Sequence, residues 1–254
     1  SKNMVSIRLL QAIGPDYAQD YIQKFGFDPK LHPPYLTMAL GAGSATPLQM
    51  AGAYATFANG GFRVKQWFIS RILDNRGATL YEAKPEMAGQ DAERVLDPRN
   101  AFLMSSLMRD VVRYGTAARA MSLGRQDLAG KTGTTNDHID AWFAGYQPSL
   151  VAVAWIGFDT PAPLGANETG GHAALPMWMT YMSRALKGEP ESELEAPEGI
   201  VAVSIDPATG MREADGRSKT VEYFYQESLP GSGGEGGAGR DAARPPEEVR
   251  NQIF

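Results

Sequence analysis

The sequence predicts an α+β protein in which an antiparallel sheet is covered by helices on both faces, and three observations predict it. Leu128–Thr134, Ala141–Tyr146 and Leu150–Phe158 are short β-like runs. The last two are separated only by a short turn containing Pro148 and Ser149, which makes them antiparallel neighbours, because a parallel pair needs a longer crossover. Their unbroken apolar character implies burial on both faces, and the amphipathic segment Leu175–Leu186 supplies part of the cover.

Composition sets the outer bounds. The 254 residues include 24 Lys plus Arg and 29 Asp plus Glu, a net charge of −5, with 43% hydrophobic and 21% charged residues. Such a chain is long and apolar enough to bury a sizeable core. It has no Cys, which removes disulfides, thiolate nucleophiles and Cys-based metal sites. His32, His138 and His172 lack the paired spacing of a metal site, so neither metal nor cofactor is expected. The mild acidity argues against a nucleic-acid partner. No apolar run approaches the ~20 residues of a spanning helix. The chain opens on Ser1 without a leader, which reads as a cut inside a longer product and says little about where the parent protein resides.

The elements follow in order. Met4–Ile13 is apolar enough for a buried helix, and Gly14-Pro15 ends it and starts a second over Asp16–Phe25, closed by Gly26. Thr46-Pro47-Leu48-Gln49 is a capping-box pattern opening a helix that runs to about Asn59. Phe68–Leu73 and Thr79–Tyr81 flank Asn75-Arg76-Gly77 as a hairpin. Asp97-Pro98 caps a helix ending near Tyr114, with Gly115 as its stop. Beyond Gly188, Ile200–Ile205 and Val221–Tyr225 are strands joined across the turn-rich Asp206–Gly210. Residues 1–188 are thus the expected core domain, 189–227 an extension with short strands, and 228–254 a disordered Gly/Pro/Arg-rich tail.

The sharpest chemical signal is Gly130-Lys131-Thr132-Gly133-Thr134-Thr135-Asn136. A phosphate loop would need Gly at position 125, which is Arg, and a helix after the motif rather than a strand. Within a strand, Lys131 supplies a cation, and Thr132 and Thr134, two apart, project to the same side. Gly133 between them lets a ligand backbone come close, in the manner of an added strand. A cation with two hydroxyls suits a substrate carboxylate; the same residues also suit an ordinary exposed edge strand.

K-T-G is one of three signatures of serine penicillin-recognising enzymes, beside S-x-x-K and S-x-N, and Ser1-Lys2-Asn3 fits the second. Together with GKTGTTND, AWFAGYQPSLVAVAWIGFD, TGGHAALPMW, LGAGSATPLQMAGAYATFANGG and RYGTAARA, the chain resembles, over roughly residues 1–188, the transpeptidase domain of class A penicillin-binding proteins of the Gram-negative 1a type. The resemblance implies a serine β-lactamase/transpeptidase-like fold lacking its N-terminal part. It also implies a peptidoglycan D,D-transpeptidase acting on D-Ala-D-Ala stem peptides through a serine acyl-enzyme, with β-lactams as acylating ligands. By position, Ser1 would relay a proton to the leaving amine and Asn3 would bind the substrate amide. Lys131 would tune the relay, Thr132 and Thr134 would hold the terminal carboxylate, and the Thr134 N–H would serve the oxyanion. The implied setting is the periplasmic domain of an inner-membrane-anchored parent that also carries a glycosyltransferase half.

One part of the pattern is absent. No Ser or Thr of the chain has Lys three residues on, so the S-x-x-K nucleophile is expected in the missing N-terminal part, and these residues alone are expected to be inactive. The competing readings are a non-catalytic penicillin-recognising module used for sensing or scaffolding, and a β-lactamase. His138 is expected in a surface turn and His172 in a loop that could border the cleft. Trp142, Trp155 and Trp178 are expected in the core, Tyr114–Ala117 in the turn that delivers the signature strand, and Glu189, Glu191, Glu193 and Glu195 in a solvated run.

Overall fold

A computed structural model describes residues 2–192, 194–213 and 220–231. Ser1, Glu193 and residues 232–254 of the expected tail lie outside the described residues. Helices α1 (Asn3–Ile13) and α2 (Pro15–Ile22) meet at Gly14, and α2 runs on into a 3-10 turn over Gln23–Phe25. α1 is less buried than its apolar content predicts: Leu10 and Ile13 are buried, whereas Met4 and Val5 are 59% and 66% exposed. The cause is one-sided cover, from α2 and the 3-10 segment Leu36–Leu40.

α3 (Pro47–Ala58) begins at the expected capping box. The Gln49 N–H donates to Thr46 Oγ1 at 3.2 Å and the Thr46 N–H donates to Gln49 Oε1 at 2.9 Å, a reciprocal pair that satisfies two otherwise orphaned donors. After β1 (Phe62–Arg63), the strands β2 (Arg71–Leu73) and β3 (Thr79–Glu82) form the expected hairpin, with an irregularity between Ile72 and Leu73. Its strand residues are all exposed. β4 (Glu93–Arg94) pairs with β1, and α4 (Pro98–Arg113) starts where Asp97 accepts from the Arg99 N–H.

The three strands at the centre are β5 (Ala129–Thr134), β6 (Ala141–Gln147) and β7 (Leu150–Ile156), antiparallel in the order β5-β6-β7. β7 stops at Ile156, and Phe158 is exposed. α5 (Leu175–Ala185) covers one face. Because side chains alternate along a strand, β6 feeds two cores. Ala141 and Phe143 join Leu175, Trp178 and Met182 of α5, while Tyr146 packs on the other side with Ala58 of α3, Met108 of α4 and Ala129. The sheet is covered on both faces, as expected.

Trp178 anchors the first core. Its ring meets Phe143 edge-on at 4.8 Å and its Nε1–H donates to the Ala152 carbonyl at 3.0 Å. Burying a side chain of this size contributes about 3 kcal/mol. Gly145 makes room for it, since a Cβ there would lie 2.8 Å from the Trp178 ring and 2.7 Å from Phe143.

Glu189, Glu191 and Glu195 are exposed, as expected of a solvated run, but the segment is also tied to the loop before β5. Arg125 donates to the Glu189 carbonyl at 2.8 Å and the Pro190 carbonyl at 3.0 Å, while the buried Asp127 accepts from Arg125 and, at 3.1 Å, from the Ser192 N–H. The Glu191 carboxylate accepts from the Gln126 N–H at 3.0 Å. Strands β8 (Ile200–Ser204) and β9 (Val221–Tyr225) form an antiparallel pair that docks on α4. There Tyr223 meets Phe102 edge-on at 5.0 Å, and Arg99 pairs with Glu227 at 2.8 Å.

Candidate functional site

Lys131–Thr134 lie on β5, the edge strand of the central sheet. Alternation separates their side chains. Lys131 and Gly133 stand opposite Ala144 and Trp142 of β6, and Thr132 and Thr134 opposite Phe143 and Ala141. The two threonines therefore share a side, as expected, while Lys131 belongs to the other face. The faces meet at the open edge, and Lys131 lines the clefts on both sides of it.

The first cleft, about 660 Å³, is largely apolar, with Met50 and Tyr54 of α3 opposite Trp142 and Trp155. These two indoles, 5.9 Å apart, form its wall rather than filling the core; of the three tryptophans expected inside, Trp178 alone is buried. The Trp155 Nε1–H donates to Asp140 Oδ1 at 2.8 Å, which satisfies the polar end of a ring that is otherwise an apolar surface.

The second cleft, about 740 Å³, brings Asn3, at the start of α1, together with Lys131, Thr132, Gly133 and Thr134. Ser1 lies outside the described residues. His172 also lines this cleft, and its Nδ1 lies 3.1 Å from the Asn167 carbonyl. His138 sits in the 3-10 turn Asn136–His138 between β5 and β6. Among the described residues, no group of three or more His, Cys, Asp or Glu could hold a metal.

Hydrogen bonds fix the threonines. Thr132 Oγ1 lies 2.7 Å from Thr116 Oγ1, and Thr134 Oγ1 accepts from the Gly170 N–H at 3.0 Å. A hydroxyl carries one proton and two acceptor sites. The Thr116–Thr132 pair consumes one of its two protons internally and keeps the other, and Thr134, used as an acceptor, keeps its own. Two O–H donors and the Lys131 ammonium thus border one cleft, a set suited to a carboxylate, which is acceptor-only. The Lys131 Nζ donates to the Thr132 carbonyl at 3.0 Å, and burial pushes its pKa below the usual lysine range.

Sequence reasoning missed two parts of this arrangement. Thr116 was placed in a turn-shaping segment, but it bonds directly to Thr132. Gly170 packs so close to the strand that a Cβ on it would lie 2.3 Å from the Trp142 carbonyl and 2.4 Å from the Gly133 carbonyl. The turn at Gly170 thus packs directly on the backbone of β5 and β6, while Gly133 still lines both clefts. Both residues fall in segments that carried the resemblance, yet neither has a spacing that shows its contact.

Comparison with known proteins gives this geometry a family. Residues 1–177 match the family described as "Penicillin binding protein transpeptidase domain". The chain is 52% identical over 202 residues to penicillin-binding protein 1A of Neisseria lactamica, covering 80% of this chain and 25% of that protein. It is 40% identical to penicillin-binding protein 1A of Pseudomonas aeruginosa, covering 91% of this chain and 34% of the other. It spans a quarter to a third of these relatives' length. The crystal structure of penicillin-binding protein 1A from Haemophilus influenzae superposes with a TM-score of 0.83 at 36% identity, covering 90% of this chain and 39% of that one. With a signature strand, a covered antiparallel sheet and a family match over most of its length, the chain belongs to the penicillin-binding protein transpeptidase domain family.

Proposed function

We propose that the chain is part of a peptidoglycan D,D-transpeptidase that cross-links stem peptides ending in D-Ala-D-Ala. The observation that carries this reading is the gathering of Asn3, Lys131, Thr132 and Thr134 around one cleft in a member of this family. In the proposed cycle a serine oxygen attacks the penultimate D-Ala carbonyl, an ester forms, and the terminal D-Ala leaves as an amine that takes up a proton. A neighbouring strand's amine then attacks the ester and frees the serine.

In this reading Thr132 and Thr134 donate to the terminal carboxylate while Lys131 adds charge. Asn3 holds the substrate amide, Ser1 relays the proton to the leaving amine, and the Thr134 N–H is one oxyanion donor, a contact whose loss typically costs ~3 kcal/mol. The nucleophile comes from an S-x-x-K segment outside these 254 residues, which contain none. β-Lactams acylate the same serine; support comes from the related PonA1 of Mycobacterium tuberculosis, solved in complex with penicillin V with a TM-score of 0.58 at 26% identity. We place the domain in the periplasm of a membrane-anchored parent; no described helix of this chain is long and apolar enough to cross a membrane.

Fluorescent penicillin tests the reading. The longer protein carrying the upstream segment takes a covalent label, the label falls sharply in Lys131→Ala, and the 254-residue chain alone takes none. A longer protein with S-x-x-K in place that stays unlabelled overturns the catalytic reading in favour of a sensing or scaffolding module. Rapid steady turnover of a chromogenic cephalosporin would indicate a β-lactamase instead.

A further inference from the structure

We propose that His172 is the base of the acceptor half-reaction: its Nε2 takes the proton that the incoming amine sheds as it attacks the acyl-enzyme ester. The inference rests on the transpeptidase reading and assigns the one step for which that reading names no residue.

The chemistry of the second cleft narrows the choice. Its lining holds no Asp or Glu, and its other ionisable side chains are the cations Lys2, Arg119 and Lys131, which donate hydrogen bonds and accept none. Its hydroxyls are weak bases. The cations disfavour another positive charge beside them, so an acceptor enters best as the neutral amine, the form with a lone pair for attack. As the C–N bond forms, that nitrogen turns positive, and it leaves again unless a base takes a proton from it.

The structure holds the ring in the tautomer this step needs. A carbonyl oxygen can only accept, so Nδ1, 3.1 Å from the Asn167 carbonyl, carries the hydrogen. A neutral ring then has its lone pair at Nε2, which has no hydrogen-bond partner among the described residues. His172 is exposed, yet its main chain is fixed. Its N–H donates to the Thr169 carbonyl at 3.0 Å and to Thr169 Oγ1 at 3.3 Å, in the one-turn π-helix Gly170–Ala174. Such turns recur at functional sites. The Gly170 N–H of the same turn donates to Thr134 Oγ1 at 3.0 Å, and the Thr134 N–H is the proposed oxyanion donor. His172 is therefore two residues from the point at which its turn is fastened to the strand that holds the reacting carbonyl. There the amine nitrogen bonds to the ester carbon and passes a proton to Nε2. The ester C–O bond then breaks, and the serine oxygen leaves as a hydroxyl with the proton that Nε2 returns.

The test is a partition measurement on the longer protein carrying the S-x-x-K segment. A D-Ala-D-Ala peptide is the donor, and a second peptide with a free side-chain amine is the acceptor. Each acyl-enzyme ends either as cross-linked product or, by reaction with water, as the donor shortened by one D-Ala. The ratio of the two counts only protein that has been acylated, so a poorly folded fraction does not enter it. His172→Ala and His172→Gln each lower cross-linking relative to hydrolysis by about tenfold, a modest part of the roughly 10²–10⁴-fold that a positioned base supplies. Gln keeps an acceptor oxygen but takes no proton, so a merely structural role would survive in it. Added imidazole restores cross-linking in His172→Ala and does not raise it in the unmodified protein. An unchanged ratio in either variant overturns the proposal, and so does a lowered ratio that imidazole fails to raise. Hydrolysis without cross-linking in the unmodified protein overturns it too. If the unmodified protein forms neither product, the transpeptidase reading itself fails and takes this inference with it.

Discussion

The Thr116 and Thr132 hydroxyls, sixteen residues apart in sequence, lie 2.7 Å from each other. Whichever of the two donates, the pair holds the Thr132 hydroxyl in place at the second cleft. A net hydrogen bond is worth about 1 kcal/mol. Thr116→Val should therefore weaken binding of a D-Ala-D-Ala peptide by about fivefold, while Thr116→Ser keeps it. Thr116 is exposed, so the melting temperature should hardly move, and titration beside a thermal melt separates positioning from folding.

At Gly170 the expected effect is on the fold itself. A methyl group there meets the Trp142 carbonyl at 2.3 Å and the Gly133 carbonyl at 2.4 Å, backbone that cannot rotate away. Overpacking of this kind costs roughly 1–3 kcal/mol. Gly170→Ala should lower the denaturation midpoint and also weaken peptide binding, because the displaced N–H no longer holds Thr134.

Asp127 offers a stability test outside the residues that line the clefts. Its side chain is fully buried beside an Arg125 side chain only 12% exposed, and it accepts from Arg125 and from the Ser192 N–H. Removing one partner of such a pair leaves a poorly compensated charge, which costs about 3 kcal/mol. Asp127→Ala should lose about that much in urea denaturation, and the 189–192 segment should become sensitive to limited proteolysis.

Lys131 sets a pH dependence. Burial lowers its pKa from the ordinary 10.5. Between the lowered value and 10.5 the unfolded chain binds more protons, so stability rises with pH across that window. Carboxylate binding moves the other way, falling as Lys131 loses its proton. Side-chain NMR should show the Lys131 ammonium titrating below the ordinary lysine value, with peptide affinity declining over the same range. Lys131→Met should raise stability below that window and abolish peptide binding.

The parts of the fold legible in the sequence were those with local causes. Thr46 and Gln49 announce their helix because both partners of the capping box lie within one turn. The antiparallel pairing of β6 with β7 follows from the short Pro148-Ser149 connection between them. What escaped depends on distant neighbours: Trp142 and Trp155 look like core residues until the cleft beside them is known, and Met4 and Val5 look buried until the single-sided cover of α1 is seen. At the site, the signature named Lys131, Thr132 and Thr134, but not their supports, because Thr116 and Gly170 act across loops whose course no local pattern encodes.

The bonds that fix the two threonines also order events during folding. Thr132 is held from residue 116 and Thr134 from residue 170, separations of 16 and 36 residues. Long-range contacts form only after the intervening chain has closed its loops. A polypeptide emerging from its N-terminus can pair β5, β6 and β7 before residue 170 exists. The Thr134 bond can close only once residue 170 has been made, so a nascent chain can carry a finished sheet with the Thr134 hydroxyl not yet held.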